Sequence, residues 1–151
     1  MRKVILVLVI GLVFCVSGLK AQTTDSDADK AAIKQTALDY IEGWYEGNAE
    51  RMERALHPDL AKRIVRPHPD NKNFNRLDQM SVMSLVQGTR RGFGKQTPKE
   101  KQLKEVAILD VFENAASVKI VASDWIDYLH IAKFNGRWVI VNVLWELKPQ
   151  K

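Results

Sequence analysis

Two adjacent residues, Asn135 and Gly136, constrain this chain more than any others. They separate two runs rich in β-branched and aromatic residues, Trp125 to Phe134 and Arg137 to Leu147. A two-residue reversal between strands needs positive φ at both central positions, and Asn-Gly supplies it. The spacing predicts an antiparallel hairpin with Phe134 opposite Arg137, Ile131 opposite Ile140, Leu129 opposite Asn142 and Asp127 opposite Leu144. Facing residues share one side of a sheet. One side then carries Trp125, Asp127, Leu129, Ile131, Trp138, Ile140, Asn142 and Leu144. The other carries Ile126, Tyr128, His130, Ala132, Phe134, Val139, Val141, Val143 and Trp145. A bulge would swap the sides of every residue beyond it.

Both sides are largely apolar, so both need cover. Helices can cover one. For the other, the economical cover is a second copy packed sheet to sheet, which predicts a homodimer through Tyr128, His130, Val139, Val141, Val143 and Trp145. The alternative is a sheet that curls strongly, its end hidden by long loops.

The helices lie upstream. Ile33, Ala37, Tyr40, Ile41 and Trp44 recur at spacings of three and four, after a cap at Asp27 or Asp29 and before a stop at Gly47. Asn48 can cap a short second helix, AERMERAL, which Pro58 ends. Lys62 to Arg66 could form a short strand, and PHPDNKN reads as a loop. A third helix is expected from Ser81 to Thr89, with Met80, Met83, Leu85 and Val86 buried. Strands follow from Glu105 to Glu113 and from Ala116 to Ser123. Helices first and strands later give an α+β class in one domain of 151 residues.

The first 21 residues have another layout. Arg2 and Lys3 precede an apolar run, Val4 to Val16, and small residues follow at Ser17, Gly18 and Ala21. That is the pattern of a cleaved secretory signal. The run falls short of the ~20 residues that span a bilayer, so no stable membrane span is expected after cleavage. Phe14 before Cys15 argues against a lipid-anchored cysteine. Residues 22–29 read as a flexible tether, 30–147 as the domain and 148–151 as a tail. The expected address is secreted or periplasmic. Cleavage removes three basic residues and no acid, leaving 20 basic against 18 acidic residues. That balance gives no reason to expect nucleic acid as a partner. His57, His68 and His130 show no ligand spacing, so neither a metal nor another cofactor is expected.

TALDYIEGWYEGNAERMERALHPDLAKRIV, residues 36–65, and WIDYLHIAKFNGRWVIVNVLWE, residues 125–146, resemble the two ends of one family. It is the putative lumazine-binding family of the nuclear-transport-factor-2-like superfamily, which includes ketosteroid-isomerase-like proteins. The likeness implies a cone: a curved antiparallel sheet wrapped around three helices, with a pocket at its wide end. It also implies a small-molecule ligand without naming a reaction, since this superfamily holds isomerases, dehydratases, cyclases and pure binding or scaffold domains.

In such a cone Tyr40, Trp44, Met83, Trp125, Leu129, Trp138 and Ile140 would form the walls, with Asp127 and Asn142 as polar contacts. The leading expectation is an exported domain that binds a small, largely apolar or aromatic molecule. A second is a cofactor-free isomerase, dehydratase or cyclase with Asp127 as general base and Tyr40 as donor. A third is an interaction module that uses the outer sheet face.

Overall fold

The computed structural model describes residues 27–149. The expected signal segment, Cys15, the first part of the tether and the last two residues lie outside the described residues. Helix α1 (Asp27–Glu46) already includes Asp27 and Asp29, where the sequence suggested the end of a tether. It turns at Gly47 into α2 (Ala49–Ala55), which Asn48 caps by accepting the N–H of Arg51. Strand β1 (Leu56–Pro67) follows directly, then β2 (Asn75–Met80) and α3 (Val82–Arg90), whose cap is Ser81. Two 3₁₀ turns, Phe93–Gln96 and Lys99–Lys101, lead to β3 (Lys104–Phe112), β4 (Ala115–Ala122), β5 (Trp125–Phe134) and β6 (Arg137–Leu147).

The strands form one curved sheet in the order β2-β1-β6-β5-β4-β3. All neighbours are antiparallel except β1 and β6, which run parallel. The α1 pattern decides what fills the concave side. Ile33, Ala37, Tyr40 and Ile41 are buried there against Val118, Ile120, Leu129, Ile131 and Ile140. Fully burying an aliphatic side chain of this size contributes about 1.5–3 kcal/mol, so this seam is the main source of cohesion. Thr36 ties α1 to the sheet by donating its hydroxyl to the Trp138 carbonyl at 2.9 Å.

The hairpin forms as the sequence required: Asn135 and Gly136 have φ of 49° and 78°. Its register holds only as far as Ile131 opposite Ile140. A bulge then places His130 opposite Asn142, Leu129 opposite Val143, Tyr128 opposite Leu144 and Asp127 opposite Trp145. Every β6 residue past Val141 therefore faces the side opposite to that expected. Val143 joins the core at 0% exposure, and Trp145 packs against it. Asn142 and Leu144 move to the convex face. A second bulge between Ile108 and Asp110 turns Val111 inward and leaves Phe112 exposed.

Candidate functional site

The inner polar site begins with a lysine. Leu60, Lys62 and Ile64 alternate along β1 and are all buried, so Lys62 projects into the cone between two apolar neighbours. Its ammonium donates to Asp127 Oδ1 at 2.6 Å and to Tyr40 Oη at 2.5 Å. Tyr40 reaches the same carboxylate oxygen at 3.5 Å. The second oxygen, Oδ2, accepts the indole N–H of Trp125 at 2.6 Å. Asp127 is 0% exposed, Tyr40 3% and Lys62 5%. The ammonium also lies 4.7 Å from the centre of the Trp145 ring and 5.3 Å from that of Tyr40, within cation–π range.

Burial sets the electrostatics. It pushes the Tyr40 hydroxyl well above its ordinary range, and the Asp127 charge and hydrogen bond push in the same direction. Burial also pulls the Lys62 ammonium below its usual range, against the opposing pull of Asp127. Taking two charges out of water is costly, and only close pairing with further hydrogen bonds offsets it. Lys62, Tyr40 and Trp125 supply those bonds. Both oxygens of Asp127 are engaged and closed to solvent, so in this conformation the carboxylate has no free face toward a substrate.

Tyr40, Asp127 and Trp125 meet here as the sequence suggested; Lys62, which reading the sequence missed, is their central partner. The other expected wall residues scatter. Leu129, Ile140 and Trp138 are core residues at 1%, 0% and 5% exposure, and Trp138 donates its indole N–H to Asp29 at 2.9 Å. Met83, expected to be buried, is 69% exposed because Leu85, Val86, Gly88 and Thr89 form the inner face of α3. Asn142 lies across the sheet from Asp127, where it accepts from Arg63 Nη1 at 3.1 Å and sits 3.4 Å from His130 Nδ1. Of the residues expected on the outer face, Tyr128 and His130 are exposed, while Val143 and Trp145 are carried inward by the bulge. Val139 is buried beside α2 and α3.

Two openings border these elements. The larger, about 1290 Å³, is a wide groove lined by Leu56, His57, Met83, Val86, Phe134 and Val139 with charged residues at its rim. The smaller, about 370 Å³, is a recess bordered by Trp44, Phe93, Pro98, Lys101, Asp124 and Trp125. There Trp44 and Trp125 meet edge to face with ring centres 6.5 Å apart. Trp125 thus has the recess beside it and Asp127 at its indole nitrogen. Gly94 allows this arrangement, since any side chain there would meet the Trp44 backbone oxygen at 2.2 Å.

Among the described residues no helix is long and apolar enough to cross a membrane, and no three or more His, Cys, Asp or Glu residues form a group able to hold a metal ion.

Known structures share this architecture. A nuclear-transport-factor-2-like protein of unknown function from Shewanella baltica superposes with a TM-score of 0.66 at 22% identity, over 84% of this chain and 99% of that one. A similar protein from Methylobacillus flagellatus gives 0.62 at 17% identity, over 83% and 96% of the two chains. A ketosteroid isomerase-like protein from Erwinia carotovora gives 0.53 at 10% identity, over 83% and 100%. At such identities the likeness is one of fold alone. No curated protein matches the sequence. The family described as putative lumazine-binding matches residues 28–146, the span from the first turn of α1 to the end of β6. The chain therefore belongs to the putative lumazine-binding family, and its fold is that of the nuclear-transport-factor-2-like structures.

Proposed function

We propose that the domain binds a small, flat, largely apolar or aromatic molecule where Trp44 and Trp125 meet, at the edge of the cone rather than inside it. One observation carries this reading: two of the expected wall residues border an open recess, while Asp127, Tyr40 and Lys62 behind them are closed to solvent. The recess volume of about 370 Å³ lies within the ~300–1000 Å³ usual for small-ligand sites, whereas the wider groove exceeds it. Asp127 would act by fixing the Trp125 indole from behind.

The family description makes lumazine a rational first probe. Equilibrium dialysis should show saturable binding, weakened about three- to tenfold by Trp44→Leu, the loss expected for one aromatic contact. Absence of saturation, or equal affinity in the variant, would refute the recess as the site.

A second reading is enzymatic, because Tyr40, Lys62 and Asp127 converge within hydrogen-bond distance. Asp127 would be the general base and Tyr40 the donor of a cofactor-free isomerase, dehydratase or cyclase, once the site opened. Loss of turnover in Asp127→Asn with binding intact would carry that reading.

The basic start and apolar run of residues 2–16 support export. Tyr128 and Leu144, paired across β5 and β6 and 45% and 49% exposed, support a homodimer through the convex face. Leu144→Lys should then halve the mass measured by light scattering. A wild-type chain that runs as one copy ends the dimer reading.

A further inference from the structure

The exposed pair Tyr128 and Leu144 sits inside an ordered pattern of charges on the convex face. Cross-strand pairing sets one row as Gln79, Arg63, Leu144, Tyr128 and Lys119, running from β2 to β4. The row on one side holds Asn142, His130, Ser117 and, on β3, Asp110. The row on the other side holds Glu146, Ile126, Val121 and Glu105. Arg63 donates to two neutral amides, Gln79 at 3.2 Å and Asn142 at 3.1 Å, and Lys119 Nζ lies over the Tyr128 ring at 5.9 Å. Neither cation is spent on a carboxylate among the described residues. A partner of one sign would meet only half of this pattern. A second copy, turned over, brings both signs to both.

A polar ladder joins three strands of this face. Arg63 only donates, so it fixes the Asn142 amide with its oxygen toward β1 and its NH2 toward β5. There Asn142 Nδ2 lies 3.4 Å from His130 Nδ1. An NH2 group can only donate, so the ring nitrogen accepts, a role open only to neutral histidine. A second proton on the ring would set N–H against N–H. It would also add a third cation to the face that holds Arg63 and Lys119. The nearest acid in the same row, Asp110, stands two strands away beyond Ser117. Of the residue types on this face, only histidine ordinarily changes charge between pH 5 and 8.

We infer that the convex face is a self-association surface for a second copy of this chain, and that His130 releases the pair when it takes a proton. The inference rests on the homodimer reading and adds its regulation.

Sedimentation equilibrium at pH 7.5 and pH 5.5 tests it, with His130→Gln beside the wild type. The Kd of the wild-type dimer should rise about a hundredfold at pH 5.5, roughly tenfold for each of the two rings. In His130→Gln the side-chain oxygen can accept from Asn142 but cannot charge, so its Kd should be the same at both pH values. Far-ultraviolet dichroism reports that the fold is intact at each pH. A wild-type chain that sediments as one copy at pH 7.5 overturns the homodimer reading and the inference with it. A wild-type dimer equally tight at both pH values overturns the release alone. Equal weakening in His130→Gln removes His130 as its cause.

Discussion

Lys62 and Asp127 should behave in unfolding as one unit. In Lys62→Met the Asp127 carboxylate stays fully buried, with only Tyr40 and Trp125 as partners. Breaking a buried ion pair from one side costs about 3–5 kcal/mol. Asp127→Asn strands the ammonium instead. Burial already holds Lys62 below its usual range, so it can shed its proton, and the expected loss is smaller, about 1–3 kcal/mol. The double variant contains neither charge, and the amide oxygen that replaces the carboxylate can still accept from Trp125. It should therefore lose only about 1–3 kcal/mol, far less than the two single losses together. The implied coupling is about 4 kcal/mol, a large share of the ~5–15 kcal/mol that stabilises a domain of this size. Urea titration at pH 7, followed by far-ultraviolet circular dichroism, measures all four proteins. Single losses that add to within about 0.5 kcal/mol would refute the pairing, because independent sites behave that way.

Acid should weaken the junction of α1 and α2. Burial alone would raise the Asp39 carboxyl, but hydrogen bonds from Arg54, Arg51 and Gln35 prevail and hold it below its ordinary range. Glu42 is lowered likewise, with Lys104 and Arg51 prevailing over burial. A carboxylate depressed in the folded state contributes stability above its unfolded pKa, ~3.9 for Asp and ~4.3 for Glu, and loses it as pH falls through the lower folded value. The urea midpoint should therefore drop below about pH 5, less steeply in Arg51→Met; equal slopes would contradict the assignment. Gly94→Ala should cost about 1–3 kcal/mol by overpacking and should shift Trp44, since the new methyl would meet Trp44 backbone and ring atoms. Near-ultraviolet dichroism and urea titration check both effects, and a wild-type spectrum with wild-type stability would contradict them.

The turn at Asn135-Gly136 was legible because its chemistry is local, and the α1 seam because its period is strong. The bulge at Val141 was not. Val139 to Trp145 offers an apolar residue to either face with Asn142 as the sole exception, so a one-residue slip leaves little trace in the pattern. Strand β1 was expected to be short and later in the chain. Its length comes from a parallel partner some eighty residues away, β6, which no local pattern announces. Strand β2, NRLDQM, is an edge strand with no apolar alternation to betray it. The period-two run of Leu60, Lys62 and Ile64 does place a lysine on a core face, and it was the one available sign of the buried pair. Its partner, Asp127, was identified as an isolated carboxylate because 65 residues separate the two in sequence.

Ligand binding at the edge of the cone, where Trp44 and Trp125 meet, is the central claim, and the four indole N–H resonances test it most directly. With saturating lumazine, Trp125 should shift, while Trp138, buried at the far end of the hairpin and bonded to Asp29, should stay fixed. A shift of Trp138 with Trp125 unmoved, or no shift in any of the four, would contradict the account.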